Sequence, residues 1–333
     1  MLLIDRGSDA AGTVCNALDG TNFVERLECA LTDMYSRDVI ALSSPDGAIH
    51  TALHLCGVGA GDYVFVPTYT FYSYIATVSN LGAVPVFIDS DPVTRCMSSS
   101  ALEAAFTWAE LQKKTPKAVI VDNAFGSVAD YSTLYPLVRS HGAFLIELAC
   151  DALGGDYSGV PCGGNGDYGI LSFGKRLAGG GAALVCGGEK TAAARFTRAQ
   201  YSSGESHDYR LHNIVAALSF ALLGDIKKIA SRGRANLAAL VSADLALPLV
   251  PGDAGAYAVC DLGAGSPRLS EMGFDVKRPP LVHTLYQYSH CTYFEHEIQY
   301  SVAEHLSKYA LIGMDISTFA RRKLTHILKK SNI

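Results

Sequence analysis

The sequence lacks several features that would place it in a specialised class of protein. Its 27 basic residues form no run, and 32 acidic residues give a net charge of −5, so the electrostatic footprint of a nucleic-acid-binding protein is missing. No apolar run reaches the roughly 18 residues of a membrane span, and the first residues lack the apolar core of a signal peptide. The nine cysteines contain no C-x-x-C pair, which disfavours disulfides and a zinc site. We therefore expect a cytoplasmic protein that holds no metal, binds no nucleic acid and crosses no membrane.

Apolar runs and helical patterns alternate along the chain. Apolar residues recur at helical spacing over 22–36, and a second helical stretch over 47–56 follows Asp46, which we expect to be its N-cap. Short apolar runs predict strands at 63–66, 84–88, 118–121, 144–146, 169–172 and 182–185. Near-continuous apolar strands separated by helices are typical of a mostly parallel sheet covered on both faces, so the predicted class is α/β. Ligands of such sheets bind at the carboxyl ends of the strands.

A change of pattern marks a second, smaller unit. Helical spacing resumes over 212–245, and a Pro/Gly-rich stretch follows at 248–255. We predict a large domain over 1–225, including an N-terminal arm, and a smaller C-terminal α+β domain over 226–333.

Local strings are more specific than the order of the elements. They are SSPDGAIH at 43–50, GVGAGD at 57–62, VPTYTF at 66–71, GAVPVFID at 82–89, a YxG…GD…SF series over 157–173 and DYR at 208–210. In order and spacing these strings resemble those of the DegT/DnrJ/EryC1/StrS family of sugar aminotransferases. The resemblance implies the fold-type I aminotransferase architecture, in which helices sandwich a mostly parallel central sheet.

The resemblance also implies a cofactor, a partner and a reaction. Family members are homodimers with the active site at the subunit interface. They use pyridoxal phosphate, held by a lysine as a Schiff base, to move an amino group from glutamate to a keto-sugar nucleotide. Lys175 stands at the position of that lysine, and Phe71 at that of the aromatic residue covering the coenzyme ring. Ser172 and the backbone amides that begin at Gly47 match groups that hold the phosphate.

Several positions of the implied coenzyme site depart from the family pattern. Leu148 replaces the aspartate that keeps the ring nitrogen protonated. Asp151 stands where the family has a glutamine near the ring hydroxyl. Asp46, which follows a proline without an N–H group, replaces a threonine that binds the phosphate. Asp208 replaces an asparagine that reaches the phosphate from the partner subunit.

The two added carboxylates would oppose a doubly negative phosphate. Each one within about 4 Å would cost about 4 kcal/mol at an effective dielectric of about 20, whereas a helix N-terminus contributes only about 0.3–2 kcal/mol. Asp46 could instead cap its own helix, and Asp208 could pair with Arg210. The magnitudes predict lost or altered binding of pyridoxal phosphate.

Three functions stay open at this point. The one that the site residues favour is a family protein of nucleotide-sugar or amino-sugar biosynthesis that acts on or binds a sugar-like small molecule with lost or altered coenzyme use. The carboxylates of Asp46 and Asp208 at the former phosphate site would suit a cationic or hydroxyl-rich ligand, or a hard cation. The second is an active pyridoxal-phosphate aminotransferase that acts on a keto-sugar nucleotide through Lys175. The third is a non-catalytic partner of an active paralogue.

Overall fold

The computed structural model describes residues 10–174, 176–177, 180–202, 205–242, 246–261, 276–277 and 300–314. The helices in this part of the chain are α1 (Ala10–Leu18), α2 (Phe23–Tyr35), α3 (Pro45–Leu55), α4 (Tyr72–Asn80), α5 (Ser99–Leu111), α6 (Tyr131–Ser140), α7 (Lys190–Thr197), α8 (Asn213–Leu223), α9 (Ile226–Ser242) and α10 (Ser301–Leu306). The strands are β1 (Val39–Leu42), β2 (Tyr63–Pro67), β3 (Val84–Ile88), β4 (Ala118–Asp122), β5 (Phe144–Ala149), β6 (Asp156–Tyr157), β7 (Val160–Pro161), β8 (Tyr168–Ser172), β9 (Ala182–Val185), β10 (Ala199–Ser202), β11 (Glu205–Asp208), β12 (Tyr257–Asp261), β13 (Val276–Lys277) and β14 (Tyr309–Gly313).

Seven strands form the central sheet in the order β1-β9-β8-β5-β4-β2-β3. Strand β9 is antiparallel to both of its neighbours, β1 and β8, and the other neighbouring pairs are parallel. Helices α2, α5, α6 and α8 pack on one face of the sheet, while α3 and α4 pack on the other. The predicted α/β fold with a mostly parallel sheet between helices is confirmed.

The two adjacent strands β4 and β5 lead directly to the candidate site. Their sequences are AVIVD and FLIELA, and every residue but the first of β5 is buried. Ile120, Ile146 and Leu148 pack on the face of α3 and α4, whereas Val119 and Leu145 pack on the opposite face. Because both faces are covered, each strand is a near-continuous apolar run rather than an alternating one.

Helix α3 begins earlier than its sequence pattern predicts, and the prediction that Asp46 is its N-cap is wrong. The Ser44 hydroxyl caps the helix by accepting a hydrogen bond from the Gly47 N–H at 3.1 Å. Pro45 takes the first helical position, where its fixed φ and missing N–H group suit a helix start. Asp46 therefore lies inside the first turn, where its carboxylate interacts favourably with the helix dipole.

The chain after the large sheet continues with helices and a second, smaller sheet. The helical stretch predicted over 212–245 consists of two helices, α8 and α9, which are separated at Gly224 and Asp225. Strands β12, β14 and β13 form an antiparallel sheet in that order. The domain ranges 1–225 and 226–333 stay a prediction.

Helix α9, with 17 residues, is the longest helix within the described ranges. None of the helices in these ranges combines the length and the apolar content that crossing a bilayer requires.

Candidate active site

The candidate site lies at the carboxyl ends of β2, β4, β5 and β8, where parallel sheets bind ligands. Phe71 follows β2 as the residue that precedes α4, and it is partly exposed. Its ring packs edge-on against Phe125 and Tyr74, with ring centroids 5.4 Å and 5.7 Å apart. Since these contacts orient the ring and leave part of it accessible, Phe71 can stack on a flat ligand.

Leu148 lies in the apolar core at this edge of the sheet. Its side chain is 0% exposed and belongs to the buried cluster on the face of α3 and α4. A leucine side chain offers neither a proton nor a charge. At this position of β5 the structure therefore places a hydrocarbon group that cannot interact with a ring nitrogen.

Asp122, which the sequence motifs do not single out, ends β4 directly beside Leu148 in the strand register. It is 4% exposed, and its Oδ2 accepts a hydrogen bond from the Thr70 hydroxyl at 2.6 Å. Burial raises the pKa of Asp122 to about 8; the Thr70 hydrogen bond lowers this pKa in part and the Asp151 charge raises it. The signal in the sequence is one acid that ends a run of four apolar residues.

Three carboxyl groups act on the Cys150 thiol just beyond β5. Burial raises the pKa of this thiol most, and a hydrogen bond with Tyr74 lowers it in part. The charges of Asp122, Asp151 and Asp46 raise it further. The structure thus brings the predicted residues Asp46 and Asp151 into one acidic neighbourhood with Asp122. In the described part of the chain, His, Cys, Asp and Glu side chains form no group of three or more that could hold a metal ion.

The start of α3 presents an acid rather than neutral donors to a ligand. Pro45 has no N–H group, and the N–H groups of Gly47 and Ala48 donate to the Ser44 hydroxyl and carbonyl oxygens, each at 3.1 Å. Asp46 is exposed; the protein atoms that desolvate part of its carboxyl group raise the pKa of this group, and a hydrogen bond with Ser73 lowers it in part. Of the backbone donors in this turn, the Asp46 N–H is therefore the one left for an anion, and it belongs to the residue that carries the carboxyl group.

A polar pocket of about 350 Å³ opens beside the start of α3. Its walls carry hydroxyl, imidazole, amide and carboxyl groups, from Ser44, Asp46, Gly47, His50, Thr77, Asn80, Leu81, His207 and Tyr209. The Tyr209 ring stacks on His207 with centroids 4.5 Å apart. The Nε2 atom of His207 lies 2.7 Å from the Thr197 carbonyl oxygen, which fixes this wall of the pocket.

Two predicted residues belong to the end of β8 and the loop that follows. Ser172 is the last residue of β8 and is partly exposed. Its hydroxyl oxygen accepts a hydrogen bond from the Gly174 N–H at 3.3 Å. Lys175, the lysine expected to hold the coenzyme, lies outside the described residues.

Asp208 is neutralised within its own chain. Its Oδ1 accepts a hydrogen bond from Arg210 Nε at 2.9 Å, and its Oδ2 accepts one from Arg210 Nη2 at 2.6 Å. Its neighbours along the chain, His207 and Tyr209, line the polar pocket, whereas Asp208 does not. Of the two roles considered for Asp208, the structure shows the ion pair with Arg210. The Arg210 guanidinium offsets part of this negative charge, and the reach of Asp208 to a partner subunit stays a prediction.

Replacing Gly47 by alanine is expected to destabilise the protein by about 1–3 kcal/mol. A Cβ atom on Gly47 would lie 2.8 Å from both Cγ and Cδ1 of Tyr209. Tyr209 cannot move away freely, because its carbonyl oxygen accepts from Ser43 N–H at 2.7 Å and its N–H donates to Arg198 at 2.8 Å. Urea unfolding of both proteins measures the difference.

Gly59→Ala is the matched control for this substitution. Its Cβ would meet only the Asp62 carboxylate, at 3.9 Å, so we expect its stability to stay within about 1 kcal/mol of the wild type. Equal stability of the two alanine variants would show that the Tyr209 ring does not clash with a Cβ atom at position 47.

Comparison with known proteins identifies the family. The model of the DegT/DnrJ/EryC1/StrS aminotransferase family matches residues 15–248. The chain is 35% identical to L-glutamine:scyllo-inosose aminotransferase of Streptomyces griseus over 178 residues, which are 52% of this chain and 41% of that protein. It is 30% identical to GDP-perosamine synthase of Escherichia coli O157:H7 over 229 residues, 64% of this chain and 60% of that protein. The chain thus spans about half the length of the relatives it matches.

Solved structures show the same fold. A DegT DnrJ EryC1 StrS aminotransferase from Brucella abortus superposes with a TM-score of 0.81 at 24% identity, covering 99% of both chains. The E. coli GDP-4-keto-6-deoxy-D-mannose-3-dehydratase with bound hydrated pyridoxal phosphate superposes with a TM-score of 0.79 at 15% identity, covering 96% of this chain and 95% of that one. Together with the family model, which matches most of the sequence, these findings show that the chain belongs to the DegT/DnrJ/EryC1/StrS aminotransferase family.

Proposed function

We propose that this protein takes part in nucleotide-sugar or amino-sugar biosynthesis, where it acts on or binds a sugar-like small molecule and uses pyridoxal phosphate in an altered way. The observation that carries the proposal is the fully buried Leu148 side chain, which stands where the family has the acid for the ring nitrogen. The names of two relatives, which refer to scyllo-inosose and GDP-perosamine, support a sugar-like ligand.

At the end of the site that would hold the coenzyme ring, Phe71 and Asp122 suit the coenzyme, whereas Leu148 does not. Phe71 offers part of its ring for stacking, and Asp122 adds a buried carboxyl group beside the Leu148 position. When bound, pyridoxal phosphate supplies an electron sink for amino-group transfer. Because the pKa of Asp122 is about 8, its carboxyl group holds a proton at neutral pH until a basic ligand accepts it.

At the phosphate end, the residues do not fit a dianion in the manner of the family. The N–H groups of Gly47 and Ala48 are already used by Ser44, and Pro45 supplies none, which leaves the N–H of Asp46. Asp46 places an exposed carboxyl group in the first turn of α3. The ion pair of Asp208 with Arg210 leaves Asp46 as the main source of repulsion. We therefore expect the coenzyme to bind more weakly than a family site with neutral donors would bind it.

The pocket beside Asp46 supports a ligand rich in hydroxyl groups. Its volume of about 350 Å³ is that of a small-molecule site. Ser44 and Asn80 can donate and accept hydrogen bonds from its walls, and the Thr77 hydroxyl, which donates to the Ser73 carbonyl oxygen at 3.1 Å, can accept one. Asp46 would accept hydrogen bonds from the hydroxyl or ammonium groups of a sugar. The carboxylate that opposes a phosphate thus favours an amino sugar or its precursor.

An active aminotransferase, with Lys175 as the lysine that holds the coenzyme, is the second candidate function. The presence of Asp122 favours it, since a buried acid remains at the ring end of the site. For either function, family membership supports a cytoplasmic homodimer with the active site at the subunit interface. A protein that purifies with an active paralogue, rather than as a homodimer, would instead have the role of a non-catalytic partner.

The visible absorbance spectrum of the dialysed protein, with and without added pyridoxal phosphate, tests the proposed coenzyme use. We expect no stoichiometric coenzyme after dialysis and an absorbance change only when it is added in excess. Titration calorimetry with scyllo-inosose and GDP-perosamine tests the ligand, and we expect Asp46→Asn to weaken binding while Asp208→Asn leaves it unchanged. Stoichiometric coenzyme that survives dialysis would favour the active aminotransferase, and failure to bind either sugar would contradict the sugar-like ligand.

A further inference from the structure

The buried acid at the end of β4 has a place in the site that neither the motifs nor the family pattern assign. Asp122 pairs with Leu148 in the register of two parallel strands, so their side chains lie on the same face of the sheet, with backbones about 4.8 Å apart. Ile120, two residues before Asp122 in β4, lies on that face, as do Ile146 and Leu148 of β5. Because side chains alternate along a strand, Asp122 lies on it too. The register therefore places an acid one strand away from Leu148 and on the same face of the sheet.

Asp122 is also poorly compensated by the rest of the protein. Among the described residues, Thr70 donates the one hydrogen bond that the Asp122 carboxyl group accepts. Asp122 forms no salt bridge with any of these residues. Buried carboxylates are normally paired with a cation or held by several donors. A carboxyl group at 4% exposure with one hydroxyl partner thus has capacity for a cationic partner from outside the chain.

The position of Asp122 indicates which cation it would pair with. Thr70, which binds Asp122, directly precedes Phe71, whose partly exposed ring can stack on a flat ligand. A protonated ring nitrogen of such a ligand is a compact cation that forms a strong, charge-assisted hydrogen bond with a carboxylate. A sugar ammonium group would need no stacking surface, so the pairing of Phe71 with Asp122 favours an aromatic base.

We propose that Asp122 replaces, from the neighbouring strand, the aspartate that the family carries at Leu148, and that its carboxylate pairs with the ring nitrogen of bound pyridoxal phosphate. The inference rests on the part of the proposed function in which the coenzyme is still used. The sugar calorimetry described above is independent of the coenzyme, so failure of this inference and failure of the sugar-like ligand are separate results.

The test uses the full chain with pyridoxal phosphate labelled with ¹⁵N at the ring nitrogen. In the wild type we expect the ¹⁵N resonance of a protonated nitrogen that persists to higher pH than in the free coenzyme. In Asp122→Asn we expect the resonance of an unprotonated nitrogen and an affinity that is about 10- to 100-fold weaker, the effect of losing one charge-assisted hydrogen bond. The asparagine keeps an oxygen that accepts from Thr70, so the fold is expected to be retained.

Two further variants distinguish the proposed pairing of Asp122 with the ring nitrogen from a general effect on the surrounding site. Asp151→Asn removes a nearby charge without removing the acid and is expected to leave the nitrogen protonated. Adding Leu148→Asp to Asp122→Asn places an acid on β5, at the position where the family carries it. This double variant is expected to restore the ¹⁵N resonance of a protonated ring nitrogen. A protonated nitrogen in Asp122→Asn would overturn the proposal, and so would a wild-type protein that binds no pyridoxal phosphate at millimolar concentration.

Discussion

Asp122→Asn is expected to become more stable relative to the wild type as the pH rises from 5 to 8. Burial raises the pKa of Asp122 to about 8 in the folded protein, while in the unfolded chain it is about 3.9. Between these values the folded state holds a proton that the unfolded state has lost. The wild-type free energy of unfolding therefore falls with rising pH by up to about 1.4 kcal/mol per pH unit, and this dependence ends above pH 8.

The measurement is urea unfolding of both proteins at half-unit steps of pH, with the difference in free energy as the readout. Asparagine does not titrate, so the difference should grow by on the order of 3 kcal/mol between pH 5 and 8 and then level off. Asp151 is the acid that raises the pKa of Asp122 by its charge, so Asp151→Asn should move the midpoint of this change to lower pH. A difference independent of pH would mean that Asp122 is ionised in the folded protein.

Asp130→Asn is the control, because folding lowers the pKa of this carboxyl group instead of raising it. Partial burial raises the pKa of Asp130, but hydrogen bonds from Ser132 and Tyr157 outweigh it and lower the pKa below its usual range. Above pH 5 the Asp130 carboxyl group is ionised in both the folded and the unfolded protein. The substitution should therefore change the free energy of unfolding by a constant amount from pH 5 to 8.

The main architecture could be predicted because it depends on local patterns. Buried strands of the central sheet are apolar runs bounded by turn residues, and those of β2, β3, β4, β5, β8 and β9 are visible in the sequence. The hairpin of β10 and β11 could not be found in this way, since AQYS and ESHD have neither an apolar run nor apolar alternation. Its strands are defined by pairing with each other, which a single strand's composition does not show.

A comparison of local strings with the family reaches single positions of the candidate site but not the pairing between strands. The structure places Leu148 in a buried apolar environment near the end of β5, and its relation to a coenzyme stays a prediction. Local strings do not reveal Asp122, because its relation to Leu148 is set by the register of β4 and β5, which no local string encodes. The start of α3 is ambiguous in the sequence for a simpler reason: both Ser44 and Asp46 are good N-caps, and Pro45 decides between them.

Asp46→Thr is expected to strengthen the binding of pyridoxal phosphate by about tenfold at low ionic strength. A carboxylate about 4 Å from a phosphate costs about 4 kcal/mol at a dielectric of about 20. Because Asp46 is exposed, screening by water reduces this to about 1–2 kcal/mol. The threonine removes the repulsion and adds a hydroxyl donor to the first turn of α3. Fluorescence titration of the coenzyme at pH 8 measures the dissociation constants.

Comparison with pyridoxal, which lacks the phosphate, shows whether the gain arises at this end of the site. The affinity for pyridoxal should be unchanged in Asp46→Thr, and the gain for pyridoxal phosphate should shrink as salt screens the carboxylate. Asp208→Asn should change the affinity by less than about twofold, since Arg210 already neutralises this carboxylate. Equal gains for the two ligands, or a larger gain from Asp208→Asn, would place the repulsive charge elsewhere. The pattern expected here, with Asp46 acting on the phosphate and Asp122 on the ring nitrogen, would show that one coenzyme site has been weakened at one end and rebuilt at the other.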